Sequence, residues 1–181
     1  VPYERNKSVS PSDIGKCARL LSEWQDVFDG DSFDFDYHLF ARQWRDLGGE
    51  YIARRVFTDM QCLDRLSLNG MVSCQVTRNA FPTALPTYMM AVSLWNKNAD
   101  YEAESRKYYL SAFGKTGLAV KSYLDGISDC IYEPDISKLG RCIALTEAFK
   151  PVIESAKLHE KGNVKRSWEY LEYHGRIVSL I

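Results

Sequence analysis

The chain has 181 residues and a formal net charge of -1; 45% of its residues are hydrophobic, 26% charged and 13% aromatic. That length fits one ordinary domain, or a domain with a short appendage, and the apolar content suffices to bury a core, which excludes disorder as the default. Scattered basic residues and near-zero charge argue against a nucleic-acid or anionic-membrane partner, and no apolar run approaches the roughly 20 residues that span a bilayer.

Val1-Pro2-Tyr3 carries no initiator methionine and no signal-peptide core, and the chain stops at Ile181 inside a helical pattern without a Gly or Pro stop. Both ends are therefore expected to be cuts in something longer. Ser10-Pro11-Ser12-Asp13 predicts a helix start, with Ser10 as N-cap and Pro11 at the first helical position. Ile14, Cys17, Leu20, Leu21, Trp24, Val27 and Phe28 continue that helix at its own spacing, up to the turn at Asp29-Gly30-Asp31. Ser32 to Leu39 then alternates as a strand does: Phe33, Phe35, Tyr37 and Leu39 face one way, and Asp34, Asp36 and His38 the other.

A polar loop through Gly48-Gly49 leads into a helix expected from Tyr51 to Leu68, which Asn69-Gly70 closes with a left-handed stop. Met71 to Val76 reads as a second strand, Thr77 to Pro82 as a turn, and Pro86 to Trp95 as another helix. From Asp100 onward the pattern is helical, in segments near 101–113, 118–131, 138–158 and 164–181 separated by Gly114, Pro134 and Gly162-Asn163. Strands joined by helical connections of about a dozen residues or more form βαβ units with parallel pairing. Two strands are too few for a stable parallel sheet, so either further strands lie upstream, which the cut N-terminus favours, or the chain forms an unusual α-rich domain.

Two polar groups stand where chemistry collects. Asp34, Asp36 and His38 share a face of a strand whose faces would both be apolar in a doubly wound sheet or barrel. Function at the strand end is one explanation, since active sites gather there. An edge strand with one solvated face is the other. On the second strand Ser73 and Gln75 share a face, and Thr77, Arg78 and Asn79 follow in the turn. Gln75 and Arg78 are suitable donors to sugar hydroxyls or a carboxylate, or else Arg78 caps backbone carbonyls. Cys74 lacks a neighbouring histidine and lies on the apolar face, which counts against a nucleophile.

The five cysteines show no CxxC pair and no histidine cluster, so no zinc site or cofactor is expected. Wide, odd spacing predicts reduced, buried thiols in a cytoplasmic protein. Aromatic rings can serve as stacking platforms for sugars, although most are expected to be core residues. His159 and His174 are expected on exposed helical stretches, without a special role.

The run Leu68-Asn69-Gly70-Met71-Val72-Ser73-Cys74-Gln75, followed by Arg78, Phe81-Pro82-Thr83, Leu85-Pro86, Tyr88, Met90-Ala91 and Leu94-Trp95, resembles a bacterial domain-of-unknown-function family. Its members look like α-glucuronidases and β-hexosaminidases, with a TIM-barrel catalytic domain followed by helices. Tyr109, Ala112-Phe113-Gly114 and Tyr123-Leu124 extend the likeness downstream. Leu21, Trp24, Asp36-Tyr37 and Ser167-Trp168-Tyr170-Leu171 also fit, so it covers nearly the whole chain. The block from Asn69 to Gly114 is its most specific part.

The resemblance implies an α/β, helix-rich fold: residues 1–99 as the C-terminal portion of a (β/α) barrel, and residues 100–181 as a helical tail. It places Asp36 and Tyr37 at one barrel strand end, and Gln75 and Arg78 at a later one. Many relatives carry a glutamate in the loop after that later strand. Here Gln75 stands there, and no acid follows before Asp100. The catalytic acid pair is then expected upstream of Val1. The chain would be a fragment of a glycoside hydrolase-like protein, contributing carbohydrate contacts through Asp34, Asp36, Tyr37, His38, Gln75 and Arg78. The alternative is a non-catalytic carbohydrate-binding or protein-interaction module. A barrel portion would expose apolar strand faces, so self-association is expected of it.

Overall fold

The computed structural model describes residues 11–40, 45–75, 80–131 and 136–180. In chain order they form α1 (Pro11–Gln25), β1 (Asp34–Asp36), α2 (Glu50–Gln61), β2 (Met71–Ser73), α3 (Leu85–Trp95), α4 (Tyr101–Phe113), α5 (Gly117–Ile131), α6 (Ile136–His159) and α7 (Gly162–Val178). The protein is helix-rich. Its one sheet among the described residues has two strands, β1 and β2, paired parallel, and no closed barrel forms among those residues.

The register sets Asp34 beside Met71, Phe35 beside Val72 and Asp36 beside Ser73. Backbone bonds continue past both ends of the ladder, from Asn69 N–H to the Ser32 carbonyl (2.8 Å) and from Cys74 N–H to the Asp36 carbonyl (2.8 Å). The strands are shorter than the alternation from Ser32 to Leu39 predicts. At Tyr37 the chain turns, with Phe40 N–H bonding back to the Tyr37 carbonyl, and Leu39 drops into the core instead of following the strand face.

Helix α2 joins the two strands and carries two apolar stripes. Ile52, Val56 and Met60 recur at helical i, i+4 spacing and pack with Leu39, Leu63 and Met90 in a small cluster beneath the sheet. Ala53 and Phe57, one position on, belong to the main core with Leu85, Met89, Tyr101, Tyr109 and the helices that follow. That core runs without a break across position 99/100. Within it the Tyr123 and Phe149 rings stack at 4.4 Å, and Trp168 meets Phe113 edge-on while donating its indole N–H to the Phe113 carbonyl (3.2 Å).

The helix predicted from Tyr51 to Leu68 ends at Gln61. A 3-10 turn at Asp64–Leu66 follows, and the left-handed stop is Ser67 (φ 52°), not Asn69-Gly70. Leu68 N–H returns to the Leu63 carbonyl (2.9 Å), which holds both leucines against the small cluster. Pro151 lies inside α6 without ending it. The N-cap expected at Ser10 lies outside the described residues.

All five cysteines are free; Cys130 and Cys142 are buried as expected, whereas Cys17 is exposed and Cys62 and Cys74 are half-buried. Among the described residues no helix is long and apolar enough to cross a membrane.

Candidate functional site at the strand ends

Alternation along β1 turns Asp34, Asp36 and His38 toward α2. His38 Nε2 lies 2.7 Å from Asp59 Oδ2 on α2, and its Nδ1 lies 2.6 Å from Asp36 Oδ1. The first contact is an aligned hydrogen bond. The second is an ion contact only, because the Nδ1–H direction misses every acceptor despite the short distance. His38 is only 12% exposed. Burial works against its charge, but the two carboxylates outweigh burial and lift its pKa to about 9. His38 therefore stays protonated at neutral pH, held between Asp36 and Asp59. Such an imidazolium cannot serve as a general base until the pH nears that value.

The same cluster separates the two aspartates of β1. Burial, followed by the charge of Asp36, raises the pKa of Asp34. Burial also pushes on Asp36, but its close contact with the His38 imidazolium, aided by the backbone N–H groups of His38 and Tyr37, prevails and lowers it. Asp36 thus presents a stable carboxylate at the end of β1. Asp59 forms the end of a shallow groove of about 250 Å³ whose other walls are Tyr51, Arg54, Arg55 and Thr58.

On β2, Ser73 neighbours Asp36 through the register, and Gln75 Nε2 donates to Ser73 Oγ at 3.3 Å. The parallel pairing therefore gathers Asp36, His38 and Gln75 at one edge of the sheet. Tyr37 is on the other face. It is exposed with Phe33, Phe35 and Val72, its ring edge-on to Phe35 (5.2 Å) and Phe40 (5.9 Å). The alternation thus has the expected faces but reversed burial: the polar side is half-covered by α2, and the aromatic side is bare. Thr77, Arg78 and Asn79 lie outside the described residues.

Asp59 is absent from the sequence-derived set because a single acid on the outer side of an amphipathic helix resembles any solvated position. A second missed group is Glu50. This buried side chain accepts hydrogen bonds from Tyr101 (3.1 Å) and from Tyr109. Burial lifts its pKa to about 7 despite the tyrosine donors. His174, expected to be exposed, is wholly buried: its Nε2 bonds the Leu47 carbonyl (2.7 Å), and burial lowers its pKa to about 4. The available signal was its spacing with Leu171 and Val178, which puts all three on one helical face.

Among the described residues no group of three or more His, Cys, Asp and Glu side chains could hold a metal ion. Fold and site together define a helix-rich α/β protein with a carboxylate–imidazolium cluster at the C-terminal ends of two parallel strands. Scans against protein-family models, curated proteins and solved structures find no match to this chain.

Proposed function

We propose that this chain forms a carbohydrate-binding wall of a glycoside hydrolase-like protein, its β1–α2–β2 unit being the last part of a (β/α) barrel. The observation that carries the reading is the register that puts Asp36 beside Ser73 at the C-terminal ends of two parallel strands, the end where α/β sheets bind ligands. The outer edges of β1 and β2 have no strand partner among the described residues, and the aromatic face of β1 is bare, as in a sheet that continues on both sides. Asp36 and Gln75 supply an acceptor and a donor for sugar hydroxyls on the α2 side of the strand ends, and on the opposite side the exposed Tyr37 ring supplies an apolar stacking face.

Catalysis by two carboxylates requires one to act as acid and the other as base or nucleophile. Asp36 is engaged by His38, and Asp34 is its near neighbour on the same strand, so the acid–base pair belongs to another part of the protein. The chain alone then binds sugar without turnover. Calorimetric titration with oligosaccharides and uronic acids tests this. Saturable binding that is lost in Tyr37→Ala and Gln75→Ala, with the helical circular dichroism intact, is expected. A folded chain that binds none of these sugars refutes the reading.

A further inference from the structure

Helix α7 has two apolar sides. Trp168, Leu171, His174 and Val178 face the core. On the opposite side Tyr170, Tyr173 and Ile177, with Leu180 in the following turn, remain 56%, 54%, 44% and 87% exposed. Their spacing keeps all four within one stripe, which runs about 15 Å along the helix axis. Singly exposed apolar residues need no explanation, but an ordered stripe marks a contact surface.

The charges beside the stripe identify what covers it. At about 100° per residue, Glu169 and Arg176 fall on the same flank. Glu169 precedes Tyr173 by four residues and Arg176 follows it by three, so they lie at nearly equal distances on either side of that ring. When two copies of a helix pack antiparallel about a two-fold axis, each flank meets the same flank of the other copy, running the opposite way. With the axis beside Tyr173, Glu169 of each copy meets the second copy's Arg176, and Tyr170 meets Ile177. Glu169 makes no ion pair among the described residues, whereas Arg176 pairs with Glu172 (2.9 Å) and lies over the Tyr173 ring (5.7 Å), both on its own helix.

We propose that the outward stripe of α7 is the seam of a two-fold dimer, in which a second copy of this chain packs its α7 antiparallel to the first. A seam one helix wide lies at the small end of the interface range, so the dimer dissociates in the micromolar range.

Sedimentation velocity over a concentration series measures the constant directly. Glu169→Arg and Arg176→Glu are each expected to weaken dimerisation about tenfold or more, because each sets like charges against one another at both symmetric positions. The double reversal is expected to restore it. Tyr173→Glu should leave a monomer, and its fold is secure because the residue is exposed; the thermal transition checks that. A wild-type chain that stays monomeric up to about 0.1 mM overturns the proposal. So does a dimer that survives all the α7 changes and is lost only in Phe35→Asp, since that assigns the contact to the bare sheet face. Because neither outcome involves sugar, failure here leaves the carbohydrate reading standing.

Discussion

Three buried or half-buried titratable side chains, His38, Glu50 and His174, contribute to the pH dependence of stability, and their signs differ. His38 has its pKa raised from 6.5 to about 9, so the stability it contributes is full below 6.5 and lost as the pH rises through 9. Its imidazole resonances in a proton NMR titration should report that high midpoint, and Asp59→Asn should bring the midpoint down. Glu50, raised from 4.5 to about 7, likewise contributes fully below 4.5 and progressively less up to 7. His174 is lowered from 6.5 to about 4, so its contribution is present above 6.5 and lost as the pH falls toward 4. Each group changes stability by about 1.4 kcal/mol per pH unit within its own window. Between 4.5 and 6.5 the slopes of Glu50 and His174 oppose and cancel, giving a plateau in urea midpoint. Glu50→Gln should convert the plateau into a rise with pH, and His174→Gln into a fall. A plateau unchanged in both variants would show that these groups titrate normally in the folded chain.

At the scale of single elements, α2 depends on groups outside it. Asp46, almost wholly buried, accepts hydrogen bonds from the N–H groups of Gly49 (3.1 Å) and Ile52 (2.9 Å) and from the Ser128 hydroxyl (2.5 Å); that hydroxyl in turn accepts the Glu50 N–H (3.2 Å). The start of α2 is thereby tied to α5. Gly48 lies in the same junction, where a Cβ would come within 2.1 Å of the Leu124 carbonyl oxygen. Asp46→Ala should cost about 1–3 kcal/mol in chemical denaturation, the combined loss of a helix cap and of partners for buried donors. A loss below about 0.5 kcal/mol would contradict this account. Such a long-range cap is not readable in sequence, because Asp46 and Ser128 meet only after folding. What was legible is what local spacing controls. The expected limits of α4 match those observed, since Asp100 caps it by accepting the Ala103 N–H (2.7 Å) and Gly114 ends it with a positive φ. The parallel pairing was also legible, from the helical connection between the strands. The lengths of the strands and of α2 were not, because Leu39, Leu63 and Leu68 leave their periodic positions to fill the small cluster. Similarly, alternation revealed the two faces of β1 but not which one α2 would cover, and Asp59 is bound to the site only through that packing.

For the molecule as a whole, the division at 99/100 read from the chain does not interrupt the core, because α2 and α3 supply side chains to the same cluster as α4 to α7. Residues 1–99 and 100–181 expressed separately should therefore lack a cooperative thermal transition, whereas the 181-residue chain should show one in calorimetry. Two independent transitions in the whole chain would argue for separate folding units. A last consequence follows from the two stripes of α2. A helix wedged between two clusters cannot open with only one of them, so its amide protons should exchange with deuterium only when the whole core does. Among the described residues the three-residue strands have no second sheet neighbour, and they should exchange far sooner through local opening. The strand that presents Asp36 would thus come and go many times during the life of the helix that presents Asp59, and the His38 link between them would be broken and remade at each opening.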